Sequence, residues 1–429
     1  MAVSRDNLLT QPEAEKPRFF YGYIIVAAAM VIDAVLAGVH FTFGIFFEPV
    51  STQFQWSRAA TSGAFTLYSV LNGLLFIVAG RISDRVGPRP VLMFCGVIFG
   101  LSYILMSTIN HLWHLYFYYG ILFSIGMSGG FVPLMSTIAR WFVKRRGLMT
   151  GLVLAGGGVG QAVLPPVTTW LISAFTWRTA YIIVGAVSLV LLVSLSLFLR
   201  RDPARMKQRP YGEVPEATGE GKVQSVRSFT FKEAVKTKNF WLYFWSVVLV
   251  QVGLGAMVVH ATPHGLDLGL SPSAAAAIVT TFAGVGIAAR VTSGGIVDRI
   301  GGTRVMATAA LILGITLIAF SLTRSTVLIY LIAGIFGVGF GGYVSSMSPL
   351  AAQLFGLTSH GVIFGVAMFG VTVGAGIGSL AAGAVFDARG TYSPAFLSAG
   401  VLSLVTFVLV LFIRAPKVIV ARTGIVSVK

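Results

Sequence analysis

The chain of 429 residues is 56% hydrophobic and only 10% charged, which is far too apolar for a soluble protein of this length. Its net charge of +17 does not indicate a nucleic-acid partner, because the Lys and Arg residues fall in alternate loops between apolar runs. The single cysteine, Cys95, excludes an internal disulfide and a thiolate metal site. The composition therefore predicts an integral membrane protein.

Twelve apolar runs approach or exceed the length of about 20 residues that a membrane-spanning helix needs. They lie near residues 20–47, 60–80, 90–109, 113–140, 147–174, 177–200, 240–262, 273–297, 303–323, 326–350, 359–386 and 393–415. We predict an all-α membrane protein with two pseudo-symmetric six-helix bundles. The predicted divisions are a cytoplasmic tail (1–19), an N-terminal bundle (20–200), a polar cytoplasmic linker (201–239), a C-terminal bundle (240–415) and a second cytoplasmic tail (416–429).

The distribution of basic residues predicts the orientation. If the N-terminus is inside, the outer loops hold only Arg58, Arg178, Arg324 and Arg389, and nearly all other Lys and Arg residues lie inside. Both termini are therefore expected in the cytoplasm, with the helices in the plasma (inner) membrane. The first apolar run is too long for a cleaved signal peptide, so we interpret it as a retained helix.

A short motif recurs at equivalent places in the two halves. Asp84-Arg85-Val86-Gly87 follows the second run, and Asp298-Arg299-Ile300-Gly301 follows the eighth. Each copy is expected to form a tight cytoplasmic turn that takes part in gating, together with Gly80 and Arg89 in the first copy. The arrangement resembles the major facilitator superfamily, which implies two six-helix bundles around a central cavity, with alternating access to a substrate site near the membrane midplane.

A second pattern resembles the monocarboxylate transporter family. The block Trp141–Gly151, which contains the basic residues Lys144, Arg145 and Arg146, is followed by the glycine-rich segment Gly156–Gly160. In the eighth run Phe282, Ala289, Arg290 and Gly295 also match. The glycines are not a dinucleotide loop, because they lie in a membrane span rather than after a strand. We interpret them as sites of close helix packing.

The chain departs from that family at three places that bear on proton coupling. Gly286 stands where the family has an aspartate four residues before the arginine, and that aspartate is usually assigned to proton coupling. The acidic residue and the following Trp at the start of the family's first helix are also missing, and only Tyr21-Gly22-Tyr23 remain. The family's lysine in the first helix has no counterpart unless His40 serves nearby. The residues that couple a proton must therefore be assigned from this chain itself.

Arg290 is the main candidate for substrate binding. It lies inside an apolar run, where a guanidinium costs about 2.5 kcal/mol or more on insertion scales. The positions one helical turn away are Gly286 and Gly294, so no permanent carboxylate partner is adjacent. A bound anion is the partner that this arrangement favours. In the related oxalate/formate exchangers a second cation lies in the eleventh helix, whereas residues 361–386 of this chain contain no Lys or Arg, so the resemblance implies a monoanion.

Asp33 is the only acidic residue inside a predicted span and is the candidate for proton coupling. It lies near the middle of the first run, and a carboxylate buried away from cations tends to bind a proton. His40 is two turns further along the same face and is a second proton-coupling candidate. A structural contact of Asp33 to the backbone or to Arg290, and a packing role for His40, are the alternatives.

Six further side chains are predicted to line the substrate cavity through polar or apolar contacts. These are Tyr119, Gln161, His260, Phe340, Tyr343 and Phe369. His260 and His264 have the spacing of a metal pair, but no third ligand of a suitable type is near in the sequence, and we predict neither a metal nor a cofactor.

The hypothesis from the sequence is a secondary transporter that moves a small monocarboxylate, such as lactate or pyruvate, together with a proton. The alternative is an exchanger of formate, oxalate or a similar anion without proton coupling. A membrane enzyme is disfavoured because no nucleophile, base or metal cluster appears in the sequence. A nutrient sensor is disfavoured because the chain lacks a soluble output domain. The expected partners are the substrate anion, a proton and the lipid bilayer; a monomer is expected, with a dimer as the alternative.

Overall fold

The computed structural model describes residues 20–212 and 228–414. Within them twelve helices are long and apolar enough to cross a membrane, as predicted. The first is broken at Thr42 into α1a (Gly22–Phe41) and α1b (Phe43–Phe54), and the fourth contains a π-helical turn at Tyr116–Phe123. The others are α2 (Arg58–Val86), α3 (Pro88–Met106), α4 (Leu112–Trp141), α5 (Arg146–Ala174), α6 (Trp177–Ser196), α7 (Lys238–Asp267), α8 (Pro272–Ile300), α9 (Gly302–Leu322), α10 (Thr326–Phe355), α11 (His360–Arg389) and α12 (Ser393–Leu411).

Two short helices accompany them, a 3₁₀ turn at Pro203–Met206 and one α-helical turn at Phe231–Ala234. Several of the twelve helices extend past the apolar runs from which they were predicted. The predicted first run ends at residue 47, whereas α1b continues to Phe54 and so includes Glu48. The predicted tails 1–19 and 416–429 lie outside the described residues, as does part of the predicted linker, and the domain boundaries stay predictions.

The helices form two bundles of six that repeat the same pattern of packing. In the N-terminal half α1a packs on α5, α2 on α4 and α3 on α6. In the C-terminal half the corresponding pairs are α7 with α11, α8 with α10 and α9 with α12. The two halves meet along two equivalent seams, α2 against α11 and α5 against α8.

Small residues allow the helices to approach closely at these contacts. A side chain added at Gly80 on α2 would collide with the backbone of Gly361 on α11. A side chain added at Gly147 on α5 would likewise collide with the backbone of Gly294 on α8. Such small-residue contacts are the usual way for helices to associate in a membrane.

We call the end of the bundles at which α1a begins and α12 ends the terminal end, and the other the open end. The seams are closed at the terminal end. Towards the open end, a side chain at Gly284 on α8 or at Gly376 on α11 would meet no atom within 4 Å. There α1b, with Trp56, lines a vestibule of about 500 Å³ through Gly44, Phe47, Glu48, Ser51 and Thr52. The two seams are therefore closely packed at the terminal end and leave free space, which we call the open cleft, at the open end.

Candidate functional site

Arg290 lies on the seam between the two halves. Its side chain is buried, and its Nη1 donates a hydrogen bond of 2.8 Å to the backbone oxygen of Leu154 on α5. The guanidinium carbon lies 5.4 Å from the ring centre of Phe340 on α10. The Nε atom is buried and has no hydrogen-bond partner in the described part of the chain. A buried guanidinium with a free donor is a group that an anion can satisfy.

Asp33 approaches the same place from the other half. It is 5% exposed on α1a, and its Oδ2 faces Gly157 on α5. Asp33 and Arg290 attract each other electrostatically. However, among the described residues they are not one of the ion pairs found within 4.0 Å. Asp33 and Arg290, which come from different halves, thus lie close together on the two sides of α5 but do not form an ion pair.

The two motif aspartates close the terminal end of the seams. Asp84 at the end of α2 accepts hydrogen bonds of 3.0 Å from the backbone nitrogens of Gly361 and Val362, the first turn of α11. It also forms an ion pair of 3.3 Å with Arg140. Each aspartate binds free backbone N–H groups at the start of a helix, where the helix dipole favours a negative charge.

The second copy of the motif makes the same contact in the opposite direction. Asp298 at the end of α8 accepts hydrogen bonds of 2.7 Å and 2.9 Å from the backbone nitrogens of Gly147 and Leu148, in the first turn of α5. The recurrence predicted from the sequence therefore corresponds to two reciprocal contacts between the halves. Gly87 and Gly301, which follow the aspartates, have φ angles of 94° and 90°, which disfavour any residue other than glycine.

The basic residues of the predicted gating motif lie around these two contacts. Arg146 donates to the backbone oxygen of Phe142, and the backbone oxygen of Arg85 accepts from Arg201. Arg85, Arg299, Lys144 and Arg145 have exposed side chains, and Arg89 is partly buried. Their position at the terminal end agrees with the predicted turns between helices. A part of these residues in gating stays a prediction.

Tyr119 and His40 belong to an aromatic cluster in the N-terminal half. Tyr119 stacks on Phe43 with ring centres 4.4 Å apart, and Tyr68 lies 5.3 Å from both Tyr119 and His40. The Tyr119 hydroxyl and the His40 Nδ1 are buried without a hydrogen-bond partner in the described residues. His40 is seven residues beyond Asp33, which is about 10 Å along the helix. Among the described residues neither Tyr119 nor His40 makes a contact with Arg290.

Tyr343 and Phe340 belong to α10, in the same C-terminal bundle as Arg290. Together with Gln251 of α7 they line a narrow crevice whose other walls are apolar. The Oε1 atom of Gln251 is buried and unpartnered among the described residues, and this polar side chain was missed in the sequence analysis although it stands inside the seventh run.

The remaining predicted residues make no hydrogen bond or ring contact with Arg290 among the described residues. The Nε2 of His260 is 2.9 Å from the backbone oxygen of Ser379 on α11, within the C-terminal half. Phe369 faces Gly73 across the seam between α2 and α11, and Gln161 is a partly buried residue of α5 one turn beyond Gly157. The structure thus groups Arg290, Asp33 and Phe340, and it places Tyr343 beside Phe340 in the crevice with Gln251.

Comparison with known proteins agrees with this architecture. The chain is 26% identical to monocarboxylate transporter 13 of Rattus norvegicus over 91% of this chain and 88% of that protein. Its fold matches the crystal structure of FucP, a Major Facilitator Superfamily transporter in the outward conformation, with a TM-score of 0.70 at 14% identity over 92% of this chain and all of that one. The proton:xylose symporter XylE matches with a TM-score of 0.73 at 15% identity, over 93% and 97% of the two chains.

The family model of the Major Facilitator Superfamily matches residues 23–270 and 261–426, which together cover nearly the whole chain. This match agrees with the twelve helices, the two bundles and the reciprocal aspartate contacts described above. The chain is a multi-pass membrane transporter and belongs to the Major Facilitator Superfamily.

Proposed function

We propose that this protein carries a small monocarboxylate and a proton together across the plasma membrane. The observation that carries the proposal is the pairing at the seam, where Arg290 has a free buried donor and Asp33 lies near it without forming an ion pair. A monoanion with a short carbon chain fits a site with one cation and an apolar wall formed by Phe340. The relatedness to a protein named as a monocarboxylate transporter supports the same substrate class.

The charges of the site give a reason for proton coupling. When the site is empty, Asp33 offsets part of the charge of Arg290. A substrate carboxylate bound to Arg290 takes over that role and leaves Asp33 as an excess negative charge in an apolar environment, where a protonated carboxyl group is favoured. Anion and proton binding then assist each other, and their joint movement is electroneutral, which avoids about 2.3 kcal/mol per charge for each 100 mV of membrane potential.

The cleft geometry provides the route. In the described conformation the α5–α8 seam is closely packed at the terminal end and free space remains beside Gly284 and Gly376 at the open end, so we infer that the substrate enters from the open end. In the proposed orientation both termini are cytoplasmic, so this is the outward-facing conformation. Rocking of the two halves would break the Asp84 and Asp298 contacts and open the other side.

Uptake of labelled L-lactate into proteoliposomes tests the proposal, with and without an inward proton gradient. The unchanged protein is expected to accumulate lactate only with the gradient. Arg290→Ala is expected to abolish both uptake and exchange, because the anion loses its partner. Asp33→Asn is expected to exchange lactate but not to accumulate it.

Two outcomes would contradict the proposal. Transport by Arg290→Ala would show that Arg290 is not the anion-binding residue. Uptake by the unchanged protein that ignores the gradient, together with normal behaviour of Asp33→Asn, would favour the alternative of anion exchange without proton coupling.

A further inference from the structure

The glycines of α5 fall into two classes according to what a side chain at each position would meet. Four of them face the backbone of a neighbouring helix. Gly147 and Gly151 would collide with backbone atoms of Gly294 and Arg290 on α8, and Gly156 and Gly160 with those of Met30 and Ala34 on α1a. These four glycines serve the close packing of α5 between its two neighbours, one from each half.

Gly157 and Gly158 face side chains instead. A Cβ atom at Gly157 would collide first with Oδ2 of Asp33, and the nearest atom outside that carboxyl group is Cβ of Ala37 at 3.5 Å. A Cβ atom at Gly158 would lie 2.5 Å from Cγ1 of Ile287 and 3.2 Å from Nη1 of Arg290. Consecutive residues of a helix point about 100° apart, so one glycine faces α1a and the next faces α8.

The hydrogen bond of Arg290 explains why Gly158 stands beside the guanidinium. Its acceptor is the carbonyl of Leu154, four residues before Gly158 on the same helix. In an α-helix the carbonyl of one residue points towards the residue four places later. A side chain at position 158 would therefore stand next to this carbonyl and restrict the approach of the guanidinium.

We propose that Gly157 and Gly158 are positioning residues that hold the proton-binding and anion-binding side chains in place. The missing side chain at Gly157 makes room for the Asp33 carboxylate, and the missing side chain at Gly158 makes room for Ile287 and, beside it, for the Arg290 guanidinium. This inference rests on the proposed function and deepens it. Two adjacent glycines on one helix thereby control two different steps, the binding of the proton and the binding of the anion.

The test compares Gly157→Ala with Gly158→Ala in the proteoliposome assay with labelled L-lactate. Gly158→Ala is expected to raise the KM of lactate exchange by about tenfold, which corresponds to about 1.4 kcal/mol, while gradient-driven accumulation at saturating lactate persists. Gly157→Ala is expected to lose accumulation and to shift the pH profile of uptake, with a change in exchange KM of less than about threefold. Gly284→Ala is the matched control, because its methyl group would meet no atom within 4 Å, and it is expected to behave as the unchanged protein.

Double variants separate positioning from general damage. If Gly157 acts through Asp33, then Gly157→Ala adds nothing to the defect of Asp33→Asn. If Gly157→Ala does not fold, Asp33→Ala in the same chain removes the group that the methyl would strike and is expected to restore folding. If neither Gly157→Ala nor Gly157→Ala/Asp33→Ala folds, Gly157 serves helix packing, and the inference is overturned.

The inference and the proposed function fail in different ways. Equal effects of Gly157→Ala and Gly158→Ala on KM and on accumulation would overturn the inference, even if Asp33→Asn and Arg290→Ala behave as proposed. Normal transport by both glycine variants would also overturn it. Lactate uptake by Arg290→Ala would instead contradict the proposed function itself.

Discussion

The two ends of the interface between the halves are built differently. At the terminal end, α5 meets α8 and α2 meets α11 at glycines that touch backbone, and Asp84 and Asp298 each bind the first turn of a helix in the other half. At the open end Gly284 and Gly376 face free space. Arg290 and Asp33 are buried beside α5, between these two ends. In the proposed function a ligand that enters from the open end binds there, and it leaves at the terminal end only after α5 and α8 separate.

The largest expected effect comes from removing both aspartate contacts. In Asp84→Ala/Asp298→Ala five hydrogen bonds to charged carboxylates are lost, four from backbone nitrogens and one from Arg140, each of a type that is worth about 1.5–3 kcal/mol. The conformation in which the terminal end is closed should then become the less populated one. The readout is the labelling rate of a cysteine placed at Gly376 in a Cys95→Ala background by a membrane-impermeant maleimide, since Gly376 faces the open cleft. We expect labelling to slow by more than about tenfold; an unchanged rate would show that these contacts do not hold the terminal end closed.

A smaller effect distinguishes the two contacts from each other. Asp84 has an ion pair with Arg140 in addition to its backbone bonds, whereas Asp298 has none within 4.0 Å among the described residues. Asp84→Asn should therefore slow labelling at position 376 more than Asp298→Asn does, by a factor of about three to ten. Arg140→Gln should reproduce most of that difference. A larger effect of Asp298→Asn would mean that the seam between α5 and α8 dominates closure.

The most local expected effect, which changes stability and not the balance between the two ends, concerns two glycines that face free space. A methyl group at Gly301 or at Gly284 would meet no atom within 4 Å, but Gly301 has a φ of 90° in the terminal turn and Gly284 lies inside a helix. Gly301→Ala should cost about 1–3 kcal/mol of stability through backbone strain alone. Gly284→Ala should cost nothing, because alanine favours a helix. Thermal unfolding of the two purified variants measures this difference, and equal melting temperatures would contradict it.

Much of the fold could be predicted because a bilayer leaves few alternatives. Twelve long apolar runs must become helices, since every backbone polar group needs an internal partner in lipid. Buried charges are equally visible in sequence, because Arg290 and Asp33 are the rare ionisable residues inside apolar runs. The motif that repeats at Asp84 and Asp298 also predicts two equivalent turns, although it does not indicate which helices of the other half they contact.

The contacts of the site could not be predicted in the same way. Nothing in the sequence distinguishes Gly157 and Gly158 from the packing glycines around them, because the distinction depends on which neighbouring helix each one faces. The acceptor for Arg290 is the backbone carbonyl of Leu154, and backbone groups have no signature in sequence. The apolar run predicts a first span that ends at residue 47, before Glu48, although the helix continues past it to Phe54.

The most direct test of the account is the number of protons taken up when L-lactate binds to the purified protein in weakly buffered solution with a pH indicator. The account predicts about one proton for each bound lactate in the unchanged protein, since anion binding at Arg290 favours protonation of Asp33. Asp33→Asn is expected to bind lactate without taking up a proton. Equal proton uptake by Asp33→Asn and by the unchanged protein would contradict the account and would place the proton on another group.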